Sequence, residues 1–193
     1  KARKLLREGK ILAIKGLGGF HLACDATNEN AVAELRRRKG RAGKPFALMF
    51  ADMKTVTQYC FVDRSELGFL NGHEKPIVLL DRRKRTGIAP SVAPDMDTLG
   101  VMLPYTPLHH MLLNQTDPVL QREPVPSALV MTSGNFSEEP IATDNVEALE
   151  RLAPLADAFL VHNRDIHIRC DDSVVRVDRW QNENANSNHQ SPV

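Results

Sequence analysis

At 193 residues, with 42% apolar and 25% charged side chains, the chain suits one domain with an ordinary core that needs no covalent staple. No apolar run nears the roughly 20 residues that cross a bilayer. No signal peptide opens the chain, and Lys1 is not an initiator Met, so it reads as a piece of a longer cytoplasmic protein. The net charge of +1 is unevenly spread: residues 1–54 hold 13 Lys and Arg against 5 Asp and Glu, and the remainder holds 12 against 19. That asymmetry suggests an anion-binding N-terminal half, but it is too small and too local to argue for nucleic acid by itself.

Taken in chain order, Ala2 to Glu8 reads as a short helix and Ile11 to Ile14 as an apolar strand stopped by Lys15-Gly16. A glycine loop, GLGGF, follows and places His21 in a loop. Asn28 to Lys39 reads as a helix, with Ala31, Val32 and Leu35 on one face. Thr27 or Asn28 can cap its start, and Arg36 to Lys39 suit its C-terminal end. Phe46 to Phe50 is a buried strand; Asp52 to Tyr59 and Arg64 to Leu70 are short helices. Ile77 to Leu80 is a strand, followed by the loop TGIAPSVAPDMD and a further strand from Leu99 to Leu103. Pro107 fits the first turn of a helix running to Leu113. Ala128 to Met131 is a strand that meets the turn SGN. Asp144 to Leu152 is a helix, and Phe159 to Val161 and Ser173 to Val177 are short strands. The alternation predicts an α/β fold with a mostly or partly parallel sheet. The polar stretch QNENANSNHQSPV cannot bury enough surface to offset its ordering entropy, so residues 178–193 are expected to be a disordered tail on a domain spanning 1–177.

Polar clusters recur at the carboxyl ends of these strands, where ligands gather in open α/β sheets. Lys15 follows the first strand, and Thr132-Ser133-Gly134-Asn135 follows ALVM. There is no G-x-x-x-x-G-K-[ST], and GLGGF lacks the dinucleotide spacing G-x-G-x-x-G. Alone, each glycine loop reads as an ordinary turn. Lys39, Arg41 and Lys44, spaced by Gly40 and Gly43, read as a loop after the helix that runs straight into a strand. No aromatic residue interleaves with this block, which disfavours base stacking and favours a phosphate cradle. Phe46 and Phe50 belong to the core. Cys24, Cys60 and Cys170 form no C-x-x-C pair, which argues for reduced, mostly buried thiols and against structural zinc. His21, His109 and His110 read as satisfied structural histidines. Asp171-Asp172 reads either as a pair of Mg²⁺ ligands or as the partner of Arg164 and Arg169.

The motifs KGLGGFHLACDA, RRKGRAGKPFALM, GVMLPYTPLHHMLL, VMTSGN and HNRDIHIRCDDSVVR stand in order over Lys15 to about Arg176. Together they resemble the YrdC-like domain of the HypF hydrogenase-maturation carbamoyltransferases. The related threonylcarbamoyl-AMP synthases share the K-x-R and S-x-N signatures, here Lys39-Gly40-Arg41 and Ser133-Gly134-Asn135. They open with P-T-[ED]-T-x-Y-G-L where this chain has IKGLGGFHL.

The resemblance implies a single twisted, open, mixed sheet flanked by helices, with a positively charged concave face. It implies a longer parent chain carrying an acylphosphatase domain, zinc-finger modules and a second ATP-binding carbamoyl-transfer domain. The family's sequence continues past DDSVVR towards R-G-Y-V-P, whereas this one departs after about Asp178. The activity implied is the joining of carbamate, released from carbamoyl phosphate, to the α-phosphate of ATP, giving carbamoyl-adenylate and pyrophosphate. The carbamoyl group then passes to the C-terminal cysteine of a HypE-like partner and becomes a cyanide ligand of the hydrogenase iron. Lys39 and Arg41 are the expected catalytic pair. Lys15, Lys44, Ser133, Asn135, Arg169 and Ser173 are expected around the nucleotide, and Asp171 and Asp172 around Mg²⁺. Lys39→Ala and Arg41→Ala are expected to weaken ATP binding with little loss of stability. The alternatives are a threonylcarbamoyl-AMP synthase and a non-catalytic RNA-binding module.

Overall fold

The computed structural model describes residues 1–84, 86–113, 124–137 and 139–178. The polar tail expected to be disordered lies, but for Asp178, outside the described residues. Helices α1 (Ala2–Arg7), α2 (Glu29–Lys39), α3 (Met53–Tyr59), α4 (Arg64–Asn71), α5 (Pro107–Leu113) and α6 (Asn145–Leu152) alternate with eight strands. These are β1 (Leu12–Lys15), β2 (Phe20–Asp25), β3 (Ala47–Phe50), β4 (Ile77–Asp81), β5 (Thr98–Met102), β6 (Ala128–Ser133), β7 (Ala158–Leu160) and β8 (Val174–Val175).

Helix starts follow local chemistry. Asn28, Asp52 and Asp144 each accept a backbone N–H of the first turn, and Asp63 with Glu66 closes a reciprocal capping box. Thr106 Oγ1 accepts the His109 N–H at 3.1 Å beneath Pro107, the first residue of α5. Gly40 ends α2 in the left-handed region at φ 65°, where a β-carbon is disfavoured.

The strands form one sheet in the order β7-β1-β2-β6-β3-β5-β4-β8. Three pairings are parallel and four antiparallel, so the sheet is mixed, in keeping with the expectation of a mixed, partly parallel one. Strand β2 is absent from the sequence reading, which placed His21 in the loop and took up the next element at Asn28. Five of its six residues are buried, so it shows no polar alternation, and its identity comes from pairing β1 on one side and β6 on the other.

Alternation of side chains divides the core in two. Ala13, Leu22, Leu48, Val101 and Val130 pack against α2, α3, α4 and α6. Leu12, Ile14, Ala23, Met49 and Met131 pack against α1 and α5 on the other face. Among the described residues no helix is long and apolar enough to cross a membrane.

After β7, at one edge of the sheet, an irregular segment covering residues 161–173 travels to β8 at the opposite edge. On the way Cys170 donates its N–H to Gly18 O at 3.1 Å, and Ser173 O accepts the Ile77 N–H at 2.8 Å. A β-carbon on Gly18 would lie 2.3 Å from Cys170 O, so this crossing depends on glycine at that position. Cys24 and Cys60 are buried free thiols and Cys170 is exposed, in keeping with the reading of mostly buried cysteines.

Candidate functional site

The basic loop and the end of β6 meet at one end of the sheet. Strand β6 continues into Ser133-Gly134-Asn135, and this turn is pressed against β2. A β-carbon on Gly134 would fall 2.7 Å from Phe20 O. Helix α2 delivers its last residue, Lys39, into the same place. Lys39 Nζ donates to Ser133 O at 2.6 Å, Asn135 O at 2.6 Å and Asn135 Oδ1 at 2.7 Å. Asn135 Oδ1 also accepts the Ser133 hydroxyl at 2.7 Å, and its Nδ2 donates to Glu139 O. Lys39 is therefore the buried final residue of α2, 2% exposed, rather than part of a surface loop. The expectation that Lys39→Ala leaves stability intact is corrected by the acceptors it would strand. Burial holds the Lys39 ammonium down to about 7, with the positive charges of Arg41 and Lys44 adding to the effect.

Arg41 and Lys44 lie on the loop between α2 and β3. Arg41 donates from Nε to Lys44 O, from Nη1 to Thr132 Oγ1 and from Nη2 to Pro45 O. A guanidinium has five N–H groups, so two remain for a ligand. The loop is held by Arg36, a residue the sequence reading assigned only to the helix end. Arg36 Nη1 gathers the carbonyls of Arg41, Ala42 and Lys44, while Nε and Nη2 grip Ser91 O. Its guanidinium stacks 4.5 Å from the centre of the Phe46 ring, and Arg41 stacks at 5.1 Å. Six hydrogen bonds to carbonyls from one Arg, one of them to Val92 O, are a tertiary property; in sequence it is one of three consecutive arginines.

Lys39, Arg41, Lys44, Ser133, Asn135 and Ser137 line an open cavity of ≈ 330 Å³. A larger cavity of ≈ 480 Å³ is lined by Glu66, Asp81, Arg176 and Asp178, an acidic balance of the wrong sign for a polyphosphate. The other expected residues divide. Lys15 ends β1, fully buried, with Nζ 3.4 Å from His162 O, and does not line the Lys39 cavity. Arg169 is exposed on the crossing segment and lines neither cavity.

Ser173, Asp171 and Asp172 line a third cavity of ≈ 290 Å³ with His21 and Tyr105. Asp172 pairs neither with Arg164 nor with Arg169. His21 Nε2 lies 2.9 Å from its Oδ2, and the Tyr105 hydroxyl donates to its Oδ1 at 3.1 Å. Each Asp172 oxygen thus already accepts a hydrogen bond, in a cavity separate from that of Lys39. Among the described residues no group of three or more His, Cys, Asp or Glu side chains could hold a metal. His21 lies in strand β2, not in a loop, and His109 is not a satisfied histidine among the described residues: it is 1% exposed and neither ring nitrogen has a hydrogen-bond partner there.

The Sua5/YciO/YrdC family, described as "Telomere recombination", matches residues 4–185. The chain is 51% identical over 181 residues to carbamoyltransferase HypF2 of Cupriavidus necator, and 52% identical over 173 residues to carbamoyltransferase HypF of Rhodobacter capsulatus. Each alignment covers 90% of this chain and 22% of the relative. A crystal structure of full-length HypF in a phosphate- and nucleotide-bound form superposes with a TM-score of 0.82 at 52% identity, covering 91% of this chain and 26% of that one. Sua5 of P. abyssi, complexed with L-threonine, shares the fold with a TM-score of 0.74 at 20% identity, over 93% of this chain and 50% of that one. The K-x-R and S-x-N residues converge on one cavity of this α/β sheet, and the match runs over almost the whole chain: it belongs to the Sua5/YciO/YrdC family.

Proposed function

We propose that this chain forms carbamoyl-adenylate from ATP and carbamate, as one step of carbamoyl transfer. The observation that carries the reading is the Lys39–Ser133–Asn135 cage opening onto the same cavity as Arg41 and Lys44. The names of its relatives, carbamoyltransferases of which it spans about a fifth, support the group transferred. Carbamate would derive from carbamoyl phosphate, and the final acceptor would be the C-terminal cysteine of a HypE-like partner in hydrogenase maturation.

In this reading Arg41 and Lys44 neutralise the triphosphate, and Arg41 offers its two remaining N–H groups to phosphate oxygens. Lys39 holds Ser133 and Asn135 in place and adds its charge from beneath. A carbamate oxygen forms a bond to the α-phosphorus while the bond to the bridging oxygen breaks. Pyrophosphate leaves with the electron pair. No proton moves and no protein nucleophile is used. The protein's contribution is cancelled repulsion and a fixed line of attack. Magnesium would arrive with the nucleotide; Asp171 and Asp172 are assigned no part in holding it.

The test is ATP–pyrophosphate exchange with ATP and a carbamate source, beside a reaction supplied with bicarbonate and threonine. Carbamate-dependent exchange is expected, and Asn135→Ala is expected to stay folded while losing most of it. Exchange that requires threonine would make the chain a threonylcarbamoyl-AMP synthase. Salt-dependent RNA binding without ATP binding would make it an RNA-binding module.

A further inference from the structure

The basic loop is shaped by groups that do not line its cavity. Glu29 opens α2 and Arg36 follows seven residues later, so both stand on one face of the helix, about 10 Å apart along its axis. Ser91, in the short turn Pro90–Val92, bridges them. Its N–H donates to Glu29 Oε2 at 3.1 Å and its hydroxyl to Glu29 Oε1. Its carbonyl accepts from Arg36 Nε at 3.0 Å and Nη2 at 2.6 Å. Arg36 Nη1 in turn donates to the carbonyls of Arg41, Ala42 and Lys44. One chain of hydrogen bonds therefore runs from Glu29 through Ser91 and Arg36 to the loop that carries Arg41 and Lys44. The turn is itself anchored: Ala89 N–H donates to Ala26 O at 2.9 Å, and Val92 O accepts the Phe46 N–H at 2.9 Å.

Arg36 needs a counter-charge. Its hydrogen bonds go to carbonyls, and its neighbour Arg41 is a second cation that it pushes down, after burial. Burial pushes the Arg36 guanidinium down as well, and the Glu29 charge offsets part of that. Glu29, Ser91 and Arg36 are all outside the lining of the cavity formed by Lys39, Arg41 and Lys44, and Glu29 stands at the other end of α2 from Lys39. A carboxylate placed there balances the clamp without competing with ligand oxygens for Arg41.

We propose that Glu29 is a positioning residue for phosphate binding: through Ser91 it fixes Arg36, and Arg36 fixes the loop that presents Arg41 and Lys44. This rests on the phosphate-binding part of the reading above. The sign of the effect separates this role from simple charge. Removing an acidic group from the helix that ends in Lys39 would, by charge alone, strengthen the binding of a polyphosphate. The relay predicts the reverse.

The test is calorimetry with ATP and with inorganic tripolyphosphate, which has the phosphates and no nucleoside. Glu29→Ala is expected to raise both Kd values at least fivefold. Glu34→Ala removes an acid from the same helix whose bonds go to Arg37 and Arg38, and is expected to change them less than twofold. In the Arg36→Lys background Glu29→Ala is expected to change Kd less than twofold, because its route to the loop is already cut. Unchanged or tighter binding by Glu29→Ala, an equal loss from Glu34→Ala, or full additivity with Arg36→Lys overturns the proposal. The Arg36 Nε–H signal in NMR spectra, assigned from Arg36→Lys, reads the relay without a ligand. Its exchange with water is expected to be at least tenfold faster in Glu29→Ala, and an unchanged rate overturns the relay. Polyphosphate binding without carbamate-dependent exchange would remove the adenylate reading and leave these Kd ratios to decide the relay. If the wild type binds neither polyphosphate, phosphate positioning is overturned together with that reading.

Discussion

Lys39 sits in a conflict between burial and charge, and the conflict predicts opposite pH trends for stability and for binding. Its folded value of about 7 lies below the ordinary 10.5. Between those values the unfolded chain binds more protons than the folded one, so wild-type stability should rise with pH across that window. One fully coupled group gives a slope of up to about 1.4 kcal/mol per pH unit. Lys39→Met should abolish the slope in denaturant titrations at pH 7, 8 and 9. Above about pH 10.5, where neither state binds the proton, it should still be less stable by roughly 1–3 kcal/mol, because Ser133 O and Asn135 lose their donor. ATP binding favours the protonated amine, so the ATP Kd should increase as pH rises above about 7, and calorimetry on Lys39→Met should show a flatter dependence. A Kd that is flat from pH 7 to 9 in the wild type would remove Lys39 from the anion field.

His109 makes a second titration. Burial, with the positive charge of His21 adding to it, pushes its imidazole down to about 3 from 6.5, so the fold requires it neutral. The unfolded chain takes up the proton first, and stability should fall as pH drops below about 6.5. The loss from this group is about 2 kcal/mol by pH 5. His109→Phe, which keeps the ring against Tyr105, should resist acid unfolding better than the wild type over pH 4–6. Identical acid midpoints would mean that His109 already carries a partner that keeps its proton balance unchanged.

Elements meet at this site through close backbone contacts and one clamp. The β6 turn touches Phe20 where Gly134 has no side chain, and the main-chain atoms of Phe20 cannot rotate away. Gly134→Ala should therefore destabilise by roughly 1–3 kcal/mol, the usual range for overpacking, in a chemical melt. The loop from Arg41 to Lys44 has no regular structure of its own and takes its shape from Arg36. Arg36→Lys keeps the charge but cannot present a planar fork to these carbonyls and Ser91 at once. It should weaken ATP binding about tenfold, read by calorimetry, without touching the nucleotide. An unchanged Kd would show that the loop holds its shape unaided.

At the scale of the whole molecule, the sequence by itself determined what depends on near neighbours in the chain. Runs such as ALVM, and caps such as Asn28 and Asp63, act over a few residues, so helices and most strands are visible in it. Lys39-Gly40-Arg41 and Ser133-Gly134-Asn135 are visible for the same reason, as short spaced patterns at element ends. Their meeting is not: Lys39 and Asn135 are 96 residues apart, and only β6 lying centrally in the sheet brings them together. The same holds for Lys15, which ends a strand as the sequence suggests but is buried towards His162 instead of the Lys39 cavity. Asp172 looked like a metal ligand or an arginine partner because its neighbours in the chain are Asp171 and Arg169. Tertiary structure gave it His21, 151 residues away, by carrying the segment after β7 across to the far edge of the sheet. Propensity and patterning decide which pieces form, because they are local free energies. Sheet order decides which pieces touch, because burying both faces of eight strands at once is a property of the whole chain.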